Sequence, residues 1–115
     1  MIYIQAGGKK RPINAGSWMI RQFCEANKLS LTDFLNIEQQ QKLLSTSPEL
    51  ALNLVYFCFL DGCRIAKVEP DFAEADIYDW VDENPEIMGE AINNYAKSIT
   101  RDTTEKPTKK KKVSR

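Results

Sequence analysis

Ser47-Pro48-Glu49-Leu50-Ala51-Leu52-Asn53-Leu54-Val55-Tyr56-Phe57-Cys58-Phe59-Leu60 is the stretch that decides the fold. Serine caps a helix, proline fits the first turn where no amide hydrogen is needed, and glutamate meets the positive end of the helix dipole. From Leu50 to Leu60 the residues are apolar almost all round, interrupted only by Asn53. A helix that is apolar on every side has to be enclosed by other elements. A bilayer span needs about twenty apolar residues, so this reads as a central core helix and not a membrane helix. Asp61-Gly62 is expected to weaken or end it.

The flanking sequence supplies the enclosing elements. Ile2 to Ala6 is strand-like, Gly7-Gly8 supplies the positive backbone angles of a tight turn, and Lys9 to Asn14 returns. Pro12 cannot donate to a ladder, so the return strand should be an edge. A two-stranded hairpin is marginal alone and must lie on something. Ser17 is the expected N-cap of a helix over Trp18 to Asn27, with Met19, Phe23 and Ala26 on one face. Ser30-Leu31-Thr32-Asp33 opens a second helix whose apolar stripe would be Leu31, Phe34, Leu35, Ile37 and Leu44, with Gln39-Gln40-Gln41 outward. After the central helix, Asp71-Phe72-Ala73-Glu74 fits a capping pattern, with Ile77, Trp80 and Val81 facing inward. Asn84-Pro85-Glu86 starts a last helix carrying Met88, Ala91, Ile92, Tyr95 and Ile99 at helical spacing. The expected fold is mainly α, a small bundle of about five helices with an N-terminal β-hairpin.

Charge divides the chain in two. Residues 1 to 100 hold nine Lys/Arg against fourteen Asp/Glu, and residues 101 to 115 hold seven against two. The body is therefore acidic by about five charges and the tail basic by as many. The expected organisation is one helical domain over 1–100 and a disordered basic tail over 101–115. A body of this size supports one core. Met1 to Gly8 lacks a basic region followed by a long apolar stretch, so it does not read as a signal peptide, and the cytoplasm is the expected location.

Little in the sequence speaks for catalysis. With no histidine there is no Ser-His or Cys-His nucleophile pair. Cys24, Cys58 and Cys63 are an odd number, without the paired spacing of a zinc site or a disulfide framework. Gly7-Gly8-Lys9-Lys10 lacks the earlier glycine and the Ser/Thr of a phosphate loop. Between Glu69 and Glu90 there are nine acidic residues and no Lys or Arg. They suit a face for a basic partner, or paired carboxylates for acid-base work; the preferred reading is helix-start acids and a solvated surface. No enzyme activity, cofactor or metal is expected.

Three aromatics, Tyr56, Phe57 and Phe59, lie on the central helix and cannot all point one way. The plain reading is core packing; the sharper one is an apolar patch that receives another chain. Lys109 to Lys112 has three readings: a phosphate-contacting tail without sequence choice, a solubilising extension, or an A-rich codon run of the kind that favours programmed ribosomal slippage. Candidate partner-contacting residues are Tyr56, Phe59, Tyr78, Trp80 and the four lysines Lys109, Lys110, Lys111 and Lys112.

The order of these elements resembles that of tail assembly chaperones from long-tailed bacteriophages. The resemblance spans most of residues 1 to 95. It rests on the Ile2–Ile13 hairpin; Ala15-Gly16-Ser17 opening a helix with Ile20, Phe23 and Cys24; and Leu29-Ser30-Leu31-Thr32-Asp33-Phe34. It continues in the apolar helix ending at Asp61-Gly62, and in Phe72-Ala73-Glu74-Ala75-Asp76-Ile77-Tyr78-Asp79-Trp80. It implies a small helical protein, absent from the finished virion, that coats the tape measure protein, prevents its aggregation and helps tail-tube subunits polymerise around it. It also implies a longer form made by ribosomal frameshifting, with the Lys109–Lys112 run standing where a slip site belongs. Implied partners are the tape measure protein, the tail-tube protein and further copies of the chain, in the cytoplasm of an infected host cell. No membrane partner is expected. The alternative is a small nucleic-acid-associated protein acting through its lysine-rich tail, which predicts binding that falls steeply with salt.

Overall fold

The computed structural model describes the backbone of residues 2–104 and the side chains of residues 2–97. The described residues form a hairpin, β1 (Ile2–Ala6) and β2 (Lys9–Ile13), and six helices. The helices are α1 (Ser17–Ala26), α2 (Leu31–Phe34), α3 (Ile37–Thr46), α4 (Pro48–Ala66), α5 (Glu74–Glu83) and α6 (Glu86–Thr104). The fold is mainly helical with an antiparallel N-terminal hairpin, as the hydrophobic pattern indicates. The last helix carries on to Thr104, past the expected domain boundary at residue 100.

α4 is the axis of the molecule. Ser47 caps it through its hydroxyl, which accepts from the Leu50 N–H, and Pro48 sits in its first turn. Helices α1, α3, α5 and α6 and strand β2 all pack on it. Leu54, Val55, Cys58 and Phe59 are buried on its inner sides. The hairpin turns at Gly7-Gly8, both at positive φ (61° and 86°), with Ala6 opposite Lys9 in register. That geometry follows the right-handed strand twist and favours glycine, asparagine or aspartate over other residues.

The helix does not stop at Asp61-Gly62, because both residues have partners. Asp61 is fully buried; its carboxylate accepts from Asn14 Nδ2 at 3.0 Å and from Arg64 Nε at 2.9 Å. Gly62 lies under β2, where a Cβ would stand 2.1 Å from the Pro12 carbonyl oxygen. The hairpin is seated there, and the Asn14 N–H donates to the Cys58 carbonyl at 3.1 Å. α4 ends instead at Lys67, which takes the left-handed conformation (φ 61°) while Val68 N–H reaches back to the Cys63 carbonyl. α1 ends the same way at Lys28, with Leu29 N–H bonded to the Cys24 carbonyl.

Three local expectations are corrected. Ser17 is the first residue of α1, and Gly16 occupies the cap position. The second helix is two helices, broken at Asn36, whose side chain accepts from the Gln39 N–H to start α3. The break rotates the expected stripe off the core: Leu31, Leu35 and Ile37 are exposed, while Phe34 is buried. Gln40 turns inward and its amide donates to the Phe34 carbonyl at 3.1 Å, satisfying a helix-end acceptor. Finally, Asp71 does not cap α5. Asp76 does that, accepting from the Ala73 N–H at 2.8 Å.

Candidate partner-binding groove

The end of α1 and the first turns of α4 and α5 converge on one side of the molecule and leave a groove of about 520 Å³. Its apolar wall is Leu50, Tyr56 and Phe57 on α4, with Tyr78 on α5. All four are only partly covered, and Tyr78 is 37% exposed. Ala26, Ser47 and Glu49 complete the rim.

A polar relay crosses the groove. Asn27, at the C-cap of α1, donates through Nδ2 to the Phe23 carbonyl at 2.9 Å and to Asn53 Oδ1 at 2.8 Å. Asn53 Nδ2 in turn donates to Glu74 Oε2 at 2.7 Å. One bond connects α1 to α4 and the next connects α4 to α5. This is why the apolar run of α4 carries a single asparagine. A leucine there would take from Glu74 its side-chain hydrogen bond and leave the Asn27 amide with the Phe23 carbonyl alone, in a half-buried site.

The expected partner residues separate into three groups. Tyr56 and Tyr78 line this groove together. Phe59 is fully buried and Trp80 is 8% exposed; their rings meet edge-on, centroids 5.5 Å apart, beside Phe72. Both belong to the core and offer no face to a partner. Lys109, Lys110, Lys111 and Lys112 lie outside the described residues, as does the end of the expected tail. Asn27, Asn53 and Glu74 were not singled out from sequence. The signal that marks Asn53 is its place as the one polar residue in an apolar run.

Trp80 has a structural task. The Arg11 guanidinium lies 4.4 Å from its ring centroid, and Arg11 Nε donates to the Ala6 carbonyl at 2.7 Å. Arg11 also pairs with Asp71, which Lys9 meets at 2.8 Å. Hydrogen bonds from Lys9 and then Arg11 hold the Asp71 carboxyl down at about 2. This cluster fastens the hairpin to the α4–α5 connection, as a stacked, bidentate-capable arginine can. Burial pushes the Cys58 thiol up to about 12, with the Asp61 charge adding to the effect, so it is an inert core group. Burial raises the Cys24 and Cys63 thiols too.

Among the described residues, no three His, Cys, Asp or Glu side chains come together to hold a metal ion. No single helix there is long and apolar enough to cross a membrane. No family model, curated protein or solved structure matches this chain.

Proposed function

We propose that this chain is an assembly chaperone that shields a long helical partner, and that the partner is a phage tail tape measure protein awaiting its tube. The observation that carries this reading is the groove: partly exposed Leu50, Tyr56, Phe57 and Tyr78 held open by a polar relay between three helices. It is a seat for a segment of chain rather than for a small molecule, because its aromatic wall lies at the surface, with Tyr78 37% exposed. The order of hairpin, apolar helix and acidic helix, on which the resemblance to tail assembly chaperones rests, adds to it.

The mechanism needs no catalysis. A tape measure protein is a long helical chain with apolar stripes that associate when left uncovered. Many copies of a small domain, each taking one stretch of stripe into its groove, would keep the chain soluble until tail-tube subunits displace them. Each contact can be weak, because copies arrayed along one chain act together. An amphipathic helix laid into an apolar groove is the corresponding mode of recognition.

The test is co-expression with the tape measure protein encoded near its gene. The expected result is transfer of that protein to the soluble fraction and its co-purification with this chain, reduced by Tyr56→Ala with Tyr78→Ala once circular dichroism shows the double variant folded. A tape measure protein equally insoluble with and without this chain overturns the reading. A heptameric A-rich slip site at the Lys109–Lys112 codons with an overlapping frame supports the longer form; mixed codons there remove it.

A further inference from the structure

We infer that the groove between α1, α4 and α5 selects amphipathic helical segments whose apolar stripe is bordered by Lys or Arg. This deepens the chaperone reading and rests on it for the occupant being helical. Glu49 and Glu74 both line the groove, and none of its lining residues is Lys or Arg. Among the described residues neither carboxylate has a cationic partner, although four ion pairs form elsewhere.

The helix ends around the groove do not cancel these charges. Glu49 and Glu74 lie in the first turns of α4 and α5. Each N-terminus contributes about half a positive charge, so two full carboxylates leave the rim about one charge negative. The C-terminal end of α1 also reaches the groove at Ala26 and Asn27, without a basic residue in its last turn, and adds about half a negative charge more. The body as a whole is acidic, with fourteen Asp/Glu against nine Lys/Arg over residues 1–100.

Glu74 is also placed rather than free. Its Oε2 accepts from Asn53, whose own carbonyl accepts from Asn27. Its other oxygen has no hydrogen bond among the described residues and is available to a cation. Apolar side chains of an occupant would rest on Leu50, Tyr56 and Phe57, and a Lys or Arg one turn along would reach Glu74 or Glu49. An acidic border would meet like charge and be refused.

The test uses the full chain and two synthetic helical peptides with the same leucine stripe, one bordered by lysine and one by glutamate. The expected result, by fluorescence anisotropy, is binding of the lysine peptide, weakened about tenfold by Glu49→Gln with Glu74→Gln and by a similar factor in high salt. Tyr56→Ala, shown folded by circular dichroism, should weaken the lysine peptide while leaving the salt dependence of the remaining binding in place, which separates the apolar wall from the charged rim. Equal binding of both peptides overturns the charge selection while leaving a helix-binding groove. Binding of neither overturns the inference, and the chaperone reading then stands or falls on tape measure solubility alone.

Discussion

Gly62→Ala opposes two physical effects of opposite sign, and the structure decides between them. In an ordinary helix interior the change is favourable by about 1 kcal/mol, because alanine loses less backbone entropy on folding. At Gly62 the new Cβ would stand 2.1 Å from the Pro12 carbonyl oxygen and 2.6 Å from the Ile13 nitrogen. These are backbone atoms, so no rotamer change relieves the clash; β2 must lift from α4. Overpacking of this kind costs about 1–3 kcal/mol. Lifting the strand also weakens the Asn14–Cys58 backbone bond and the Asn14–Asp61 contact, at about 1 kcal/mol each. The net expectation is a loss of about 3 kcal/mol, or about 12–24 °C in Tm for a domain of this size. Gly89→Ala is the control: on α6, with nothing within 4 Å of a new Cβ, it should gain up to about 1 kcal/mol. Urea unfolding at 25 °C, followed by tryptophan fluorescence, measures both. If Gly62→Ala were stabilised like Gly89→Ala, the docking of the hairpin on α4 would be refuted.

Other perturbations test other parts of the fold. Tyr95 is 1% exposed, its hydroxyl has no hydrogen-bond partner, and burial pushes that hydroxyl far above its usual range; Tyr95→Phe should leave stability unchanged or raise it by about 1 kcal/mol, and a clear drop in the urea midpoint would show that the hydroxyl is bonded. Phe34→Ala should cost about 3–5 kcal/mol and Leu35→Ala less than about 0.5 kcal/mol, since only the first is buried; similar losses would mean that α2 and α3 form one continuous helix. The Asp71 carboxyl is held at about 2, below its unfolded value of about 3.9. Its stabilising effect is therefore full above about pH 4 and disappears as pH falls towards 2. Asp71→Asn should be less stable than the parent at pH 6, the two converging near pH 2 in acid-unfolding curves; a difference independent of pH would show that the Lys9 and Arg11 pairing does not matter.

The parts of this fold that were legible in sequence are those set by local chemistry. Ser47-Pro48 started α4, Gly7-Gly8 turned the hairpin, and Ile77 with Trp80 gave the inner face of α5. What escaped was set by neighbours distant in sequence. Asp61-Gly62 reads as a helix end because aspartate and glycine are poor helix formers. Asn14 and Arg64 satisfy the one, and Pro12 lies over the other, so the helix continues. Leu31, Leu35 and Ile37 fit an inward stripe only if the helix is unbroken, and Asn36 caps a new helix between them. Of the groove, Tyr56 and Tyr78 were visible as aromatics on helices. Asn27, Asn53 and Glu74 lie on three separate elements, and no periodicity within one helix brings them together.

The relay also explains why this side of α4 remains open. On its other sides α4 is covered by strands and helices that meet it with apolar surface, and Leu54, Val55 and Phe59 are fully buried there. Between α1 and α5 the facing residues are an asparagine and a glutamate, joined through Asn53. Hydrogen bonds of this kind contribute about 1 kcal/mol net each, less than the 1.5–3 kcal/mol from burying a leucine-sized side chain. Closing the gap with apolar residues would therefore give the more stable domain. Keeping it polar fixes the spacing of the two helix ends and leaves Leu50, Tyr56 and Phe57 only half covered. A fold under selection for stability alone has no use for that arrangement. On the proposed chaperone reading, apolar surface that the chain does not itself fill is what would hold segments of a partner briefly and then release them.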